Sequence, residues 1–256
     1  MAGSKDGVRR RVVDSSILEQ VSETMKRLSL FRASAALSVA VAAACASLPE
    51  AKMALPKELD AIEPVRLHGL TAGRTGEFDL DGARGRFARS ASRLSLFDGI
   101  VARDKADAGY TLFPGEPNAI AASCRGRQTT SSVGVVAIEP KAFELRCDYT
   151  GAWSARLTLA AKSAAMGSRH ERQGRLQGPG GALELRSVHR VQGSPLPLET
   201  PIGYVFLGAG RPVGAVELNG TTPRLWRPAV GSPWHDEVTH AALTLALLWD
   251  PANRVD

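Results

Sequence analysis

The segment that most constrains the fold is residues 241–249, Ala-Ala-Leu-Thr-Leu-Ala-Leu-Leu-Trp, in which Thr244 is the one polar side chain. Trp234, Val238, Ala241, Ala242, Leu245, Leu248 and Trp249 recur at helical spacing, which predicts a helix over about 233–249. Ser232-Pro233 supplies an N-cap followed by proline at the first helical position. Asp236 and Glu237 fall in the first turn, where the helix dipole favours anions, and Asp250-Pro251 stops the helix. A helix apolar on nearly every side is buried on nearly every side. Something must wrap around it.

The chain from 65 to 227 reads mainly as strands. Phe143, Leu145, Cys147 and Tyr149 fall on one face of 143–149, with Glu144, Arg146 and Asp148 on the other. Trp153, Ala155, Leu157 and Leu159 repeat the pattern after Thr150-Gly151, so the two segments predict a hairpin. Further strands are expected at 77–80, 86–97, 109–113, 120–124, 134–138, 182–191, 203–207, 213–218 and 224–226. Asp81-Gly82, Asp98-Gly99, Gly180-Gly181, 208–212 and Asn219-Gly220 mark turns between them. Residues 163–179, polar and glycine-bearing, read as a mobile loop. The expected fold is mainly β: an antiparallel curled sheet or barrel with a buried apolar C-terminal helix. The alternative is the same helix packed on one face of an open sheet. The order of 204–207, 213–218 and 241–249 resembles the tubby-like and LURP-one barrel architecture, which implies an apolar helix enclosed by an antiparallel barrel. No lipid-headgroup ligand set carries over from that resemblance residue by residue.

The other end of the chain addresses localisation. Lys26, Arg27 and Arg32 form a basic stretch, residues 33–44 carry no charge, and Ala42-x-Ala44 precedes Cys45. Residues 25–45 resemble the signal peptide of bacterial lipoproteins, with 41–45 matching the lipobox at its small residues and its cysteine. They depart from it at Ala42, where leucine is usual. The resemblance implies cleavage before Cys45, a lipid on that cysteine and, since Ala46 rather than Asp follows, transfer to the outer membrane. Simple secretion with an unmodified Cys45, an uncleaved anchor and a buried core helix are the competing readings. Residues 1–24 contain Arg9-Arg10-Arg11 but also Asp14, Glu19 and Glu23. They read as a leader outside the signal, with translation starting at Met25. Residues 45–64, with Pro49, Pro56 and Pro64, read as a spacer with a brief helical turn at 55–62, and 65–256 as a single β-rich domain.

The chain has three cysteines. If Cys45 carries lipid, Cys124 and Cys147 remain as a pair, and an even number in an oxidising compartment suggests a disulfide. Closing that loop would contribute about 3 kcal/mol. Two separate buried thiols are the other reading. No second cysteine or histidine lies close enough to either to suggest zinc.

Motifs for chemistry are sparse. Arg84, Arg86, Arg89 and Arg93 surround Phe87 and form a candidate anion contact for phosphate-bearing partners such as lipid headgroups, with a solvated strand face as the alternative. The net charge of +6 needs no nucleic acid to explain it, and from Cys45 onward 20 Arg and 5 Lys face 22 acidic residues. His235 and His240 are five apart, whereas a helical metal pair needs four, so helix-start capping and a polar rim are expected there. Ser154 lacks the second glycine of a nucleophile elbow, Gly208-Ala-Gly210 is followed by Arg211-Pro212 rather than a third glycine, and 178–181 is a turn. His68, His170 and His189 are isolated in sequence. These observations call for no cofactor and no metal. They point to a lipid-anchored envelope protein, periplasmic or surface-facing, that acts as a non-enzymatic binding or structural module. Its expected partners are the membrane, through the N-terminal lipid, and another envelope protein or lipid headgroups. A periplasmic hydrolase on a β scaffold and a carrier of an amphipathic ligand are the alternatives.

Overall fold

A computed structural model describes residues 51–70, 73–96, 100–133, 136–162 and 170–250. Cys45, the signal segment 25–44, the leader 1–24 and residues 45–50 of the spacer lie outside the described residues. Twelve strands follow one another: β1 (Val65–His68), β2 (Thr75–Leu80), β3 (Ala83–Leu96), β4 (Val101–Leu112), β5 (Ile120–Val133), β6 (Val136–Gly151), β7 (Ala155–Ala161), β8 (Arg172–Gly178), β9 (Gly181–Val188), β10 (Gly203–Gly208), β11 (Arg211–Glu217) and β12 (Arg224–Trp226). Each pairs antiparallel with its neighbour in sequence, and β1 pairs with β12, with Val65 opposite Leu225, to close a barrel. One helix, α1 (His235–Leu247), follows.

The barrel closes around that helix because strand alternation and helix composition match. Phe143, Leu145, Tyr149, Leu157, Leu159, Leu176, Leu183 and Leu185 point inward and are almost fully buried. Val238, Ala241, Ala242, Leu243, Leu245 and Leu247 meet them from α1, all at 3% exposure or less. The wall comes very close to the helix in places. A Cβ at Gly214 would lie 2.6 Å from Val238 Cγ1, so a larger residue there would push the helix off the wall. The outer face is the reverse: Arg146–Glu144, Arg156–Asp148 and Arg186–Glu184 pair there in solvent. Charges in those positions would be costly against lipid, so the barrel's polarity is opposite to that of a membrane-spanning one.

Four expectations change. First, α1 begins at His235, two residues later than predicted. Trp234 takes a left-handed conformation (φ 71°) and lays its indole over the small wall residues, where a Cβ on Gly208 would lie 2.6 Å from the ring. Second, the loop expected at 163–179 contains β8. Its inner face is Arg172, Gly174 and Leu176, so the apolar alternation that marks other strands is missing. Third, 120–124 lies within the long β5, and 136–138 and 143–149 are not separate short strands but parts of the long β6, with 134–135 outside the described residues. Fourth, the described part of the spacer is packed. Met53 and Leu59 are 2% and 1% exposed in a second apolar cluster with Ile202, Val205, Leu207, Ala215 and Trp226. A short 3-10 turn, Lys57–Leu59, presents Leu59. Glu217, itself buried, accepts the Met53 N–H at 2.6 Å and is held by Arg224. Residues 51–62 are therefore a strap over the outside of β10–β12. This explains β10: all six of its residues are buried, because α1 covers one face and the strap the other.

Strands β3 to β6 are longer than the barrel needs. β2 pairs with β3 only as far as Ala88, and β7 pairs with β6 only from Glu144 onward. The far halves of β3–β6 pair only with one another and form a four-stranded leaf that continues past the ring.

Candidate functional site

The buried polar groups of α1 were expected on a rim and stand instead in the middle of the barrel. His240 is 2% exposed, and its Nδ1 lies 2.7 Å from the Tyr110 hydroxyl. Burial raises the Tyr110 pKa well above its ordinary value, so Tyr110 stays protonated, and its hydroxyl also lies 3.4 Å from the His240 carbonyl; the tautomer of the ring sets which of Tyr110 and Nδ1 donates to the other. The ring stacks on Trp153 at 4.4 Å between centroids. Tyr149 and Thr244 share a hydrogen bond at 2.7 Å beside it. Burial, with His235 adding to it, pushes the His240 pKa down to about 3. A neutral ring sealed in the core acts in packing and has no route to a substrate. His235 bonds the Pro228 carbonyl at 2.8 Å, and the Glu237 carboxylate accepts the Gly180 N–H at 2.7 Å, tying the β8–β9 turn to the start of α1.

The four arginines around Phe87 do not form one patch. Strand alternation sends Arg84 and Arg86 outward and Arg89 and Arg93 to the inner face. Arg86 pairs with Glu77 in solvent at 3.1 Å. Arg89 lies between Phe87 and Trp249, 5.0 and 4.8 Å from their centroids, and reaches the Leu247 carbonyl at 3.5 Å. Arg93 pairs with the buried Asp104 at 3.2 Å. Arg172, unnoticed in the sequence, joins this end of the barrel. It is 3% exposed, lies 3.9 Å over the Phe143 ring, and is held by Asp250 and Tyr204. Burial disfavours its charge, but Tyr204 and Asp250 outweigh that and raise its pKa. Two arginines thus sit at the carbonyl end of α1, where the helix dipole favours cations.

A surface groove of about 930 Å3 is lined by β7–β9, Ala54, His189 and Pro197. Ser187 and His189 meet at its edge. The Ser187 Oγ accepts the Arg172 N–H at 2.8 Å and lies 3.0 Å from His189 Nε2, while His189 Nδ1 lies 3.1 Å from the Leu198 carbonyl. A carbonyl only accepts, which assigns the ring proton to Nδ1 and makes Nε2 the acceptor of the Ser187 hydroxyl. The Ser-x-His spacing at a strand end was the available signal, and the sequence reading passed over it because it sought glycine-framed serines.

The other predicted positions are simply placed. Cys124 and Cys147 face each other across β5 and β6 and are joined in a disulfide, with Cα atoms 4.0 Å apart. His68 borders a separate shallow hollow, and His170 pairs with Glu199 at 3.4 Å. Among the described residues no group of three or more His, Cys, Asp or Glu side chains could hold a metal ion. No described helix is long and apolar enough to cross a membrane. The molecule so defined is a closed twelve-stranded antiparallel barrel threaded by its own C-terminal helix. Compared with protein-family models, curated proteins and solved structures, the chain matches none of them.

Proposed function

We propose that this protein is a lipid-anchored cell-envelope lipoprotein, held at the outer membrane through Cys45 and acting as a binding or structural module. The observation that carries the reading is the cysteine inventory. Cys124 and Cys147 are joined inside the barrel, which suits an oxidising compartment and leaves Cys45 as the odd thiol behind a basic, then apolar, segment. The barrel interior is occupied by α1, so partners are met on the outer surfaces. Cells given radiolabelled palmitate test the reading. The wild-type protein takes up label and Cys45→Ser does not; an unlabelled wild type, or equal label on both, sinks it.

One observation favours a second reading, a hydrolase on the β scaffold: the Ser187–His189 pair at the groove. In that reaction the Ser187 Oγ attacks an acyl carbonyl and its proton passes to His189 Nε2; the bond from the carbonyl carbon to the leaving group then breaks as the leaving group takes that proton, and a water that gives its proton to His189 releases the acyl group from Ser187, which regains its hydroxyl proton. A fluorophosphonate probe reads this directly. Labelling of the wild type that is lost in Ser187→Ala and His189→Ala supports hydrolysis, and an unlabelled wild type removes this pair from consideration.

A further inference from the structure

The leaf of β3–β6 carries an unbalanced face. Cross-strand register sets Asp107 opposite Arg125, Lys105 opposite Arg127 and Arg103 opposite Leu94 on one surface. Arg125 also faces Arg146 across β6. Like charges directly opposed across strands are destabilising, and an anionic partner would relieve that repulsion. Arg146, Arg156 and Arg186 elsewhere on the outer surface each pair with a carboxylate. Arg103, Lys105, Arg125 and Arg127 are exposed and make no ion pair among the described residues. Glu144, next across from Arg127, is already engaged by Arg146.

The same face ends in apolar side chains. Leu94 is 54% exposed, the partly exposed Leu96 and Val101 stand opposite each other beyond it, and Ile100, 50% exposed, lies in the turn next to Val101. The order along the leaf is therefore apolar tip, then basic band, then barrel. Successive same-face rows are about 7 Å apart, close to the roughly 5–7 Å thickness of a headgroup layer.

We propose that the leaf docks on an anionic lipid bilayer, its apolar tip entering the headgroup layer and Arg103, Lys105, Arg125 and Arg127 meeting lipid phosphates. A soluble polyanion would satisfy the cations but give the tip nothing to bury. A second copy in a two-fold contact would set this positive face against itself. The inference extends the proposed function by naming what the barrel's outer surface meets, and it concerns a surface remote in sequence from Cys45.

The test uses the full chain carrying Cys45→Ser and follows amide hydrogen exchange in residues 90–103 and 125–131. Vesicles of phosphatidylcholine mixed with phosphatidylglycerol slow exchange there, and pure phosphatidylcholine does not. In R103Q/K105Q/R127Q the lipid concentration giving half-protection rises about a hundredfold. In Leu94→Ser/Ile100→Ser the protection disappears at high salt, where the charges are screened. All five substitutions are at exposed positions, and an unchanged melting temperature certifies the fold. Absence of protection, or equal protection on both vesicles, overturns the proposal. Protection reproduced by inorganic polyphosphate and kept by the Leu94/Ile100 variant assigns the face to a soluble polyanion. Protection that needs no vesicle and grows with protein concentration assigns it to a second copy. Palmitate labelling of Cys45 is measured separately, so either reading can fail alone.

Discussion

His240 shows how one ring couples the helix to the wall. Its folded pKa is about 3, below the ordinary histidine value of 6.5. Between those pH values the unfolded chain binds the proton and the native barrel does not, so stability is full above pH 6.5 and declines as pH falls towards 3. The loss from this group approaches ~4–5 kcal/mol at the lower end. Urea unfolding at pH 7 and pH 4 should therefore show a smaller pH effect in His240→Gln than in the wild type; parallel curves for the two proteins would refute the assignment. The position of His240 in the helical run was legible, but Tyr110 and Trp153 reach it from β4 and from the turn before β7. Contacts between distant strands have no local signature. The arginines near Phe87 teach the converse. Their even and odd numbers already divide Arg84 and Arg86 from Arg89 and Arg93, and alternation alone placed them on opposite faces.

Among the elements, the strap is the one whose role was misread. Prolines and small residues made 45–64 look like a spacer, but the need for a cover was written in β10, whose run Gly-Tyr-Val-Phe-Leu-Gly has no polar face. A strand apolar on both sides announces two neighbours. The sequence could show that a second cover existed without showing which segment supplied it. If residues 51–62 are structural, Leu59→Ala should destabilise the domain by about 3 kcal/mol, the usual range for emptying a sealed leucine site. A free spacer would show a change within about 0.5 kcal/mol. Denaturant midpoints separate the two outcomes. Strand β8 was hidden for another reason: its inner positions are Arg172, Gly174 and Leu176, and the glycine leaves space that Leu159 fills.

For the whole molecule, the apolar helix and the hairpin 143–159 were sufficient to foresee a curled antiparallel sheet around α1, because a helix of that composition needs a wall on every side. The strand number and the closure through β1 and β12 were not legible, since pairing of the first strand with the last depends on sheet twist summed around the ring. The disulfide between β5 and β6 braces that wall. Its loss in Cys124→Ala/Cys147→Ala should cost about 3 kcal/mol, a fall in melting temperature of about 6–12 °C for a domain of this size. A melting temperature unmoved by the double substitution, or by reduction of the wild type, would deny it a stabilising role.

Closure through β1 and β12 also dictates an order of events. Neighbouring strands can zip as soon as they are made, because each hairpin is local. The seam between Val65 and Leu225 is the least local contact of the barrel, and β12 and α1 are the last elements of the domain to be synthesised. Until they arrive, the growing sheet has two open edges and an uncovered apolar concave face. Such a chain stays unlocked through most of its synthesis, and it locks in one late step when the helix enters and the seam shuts.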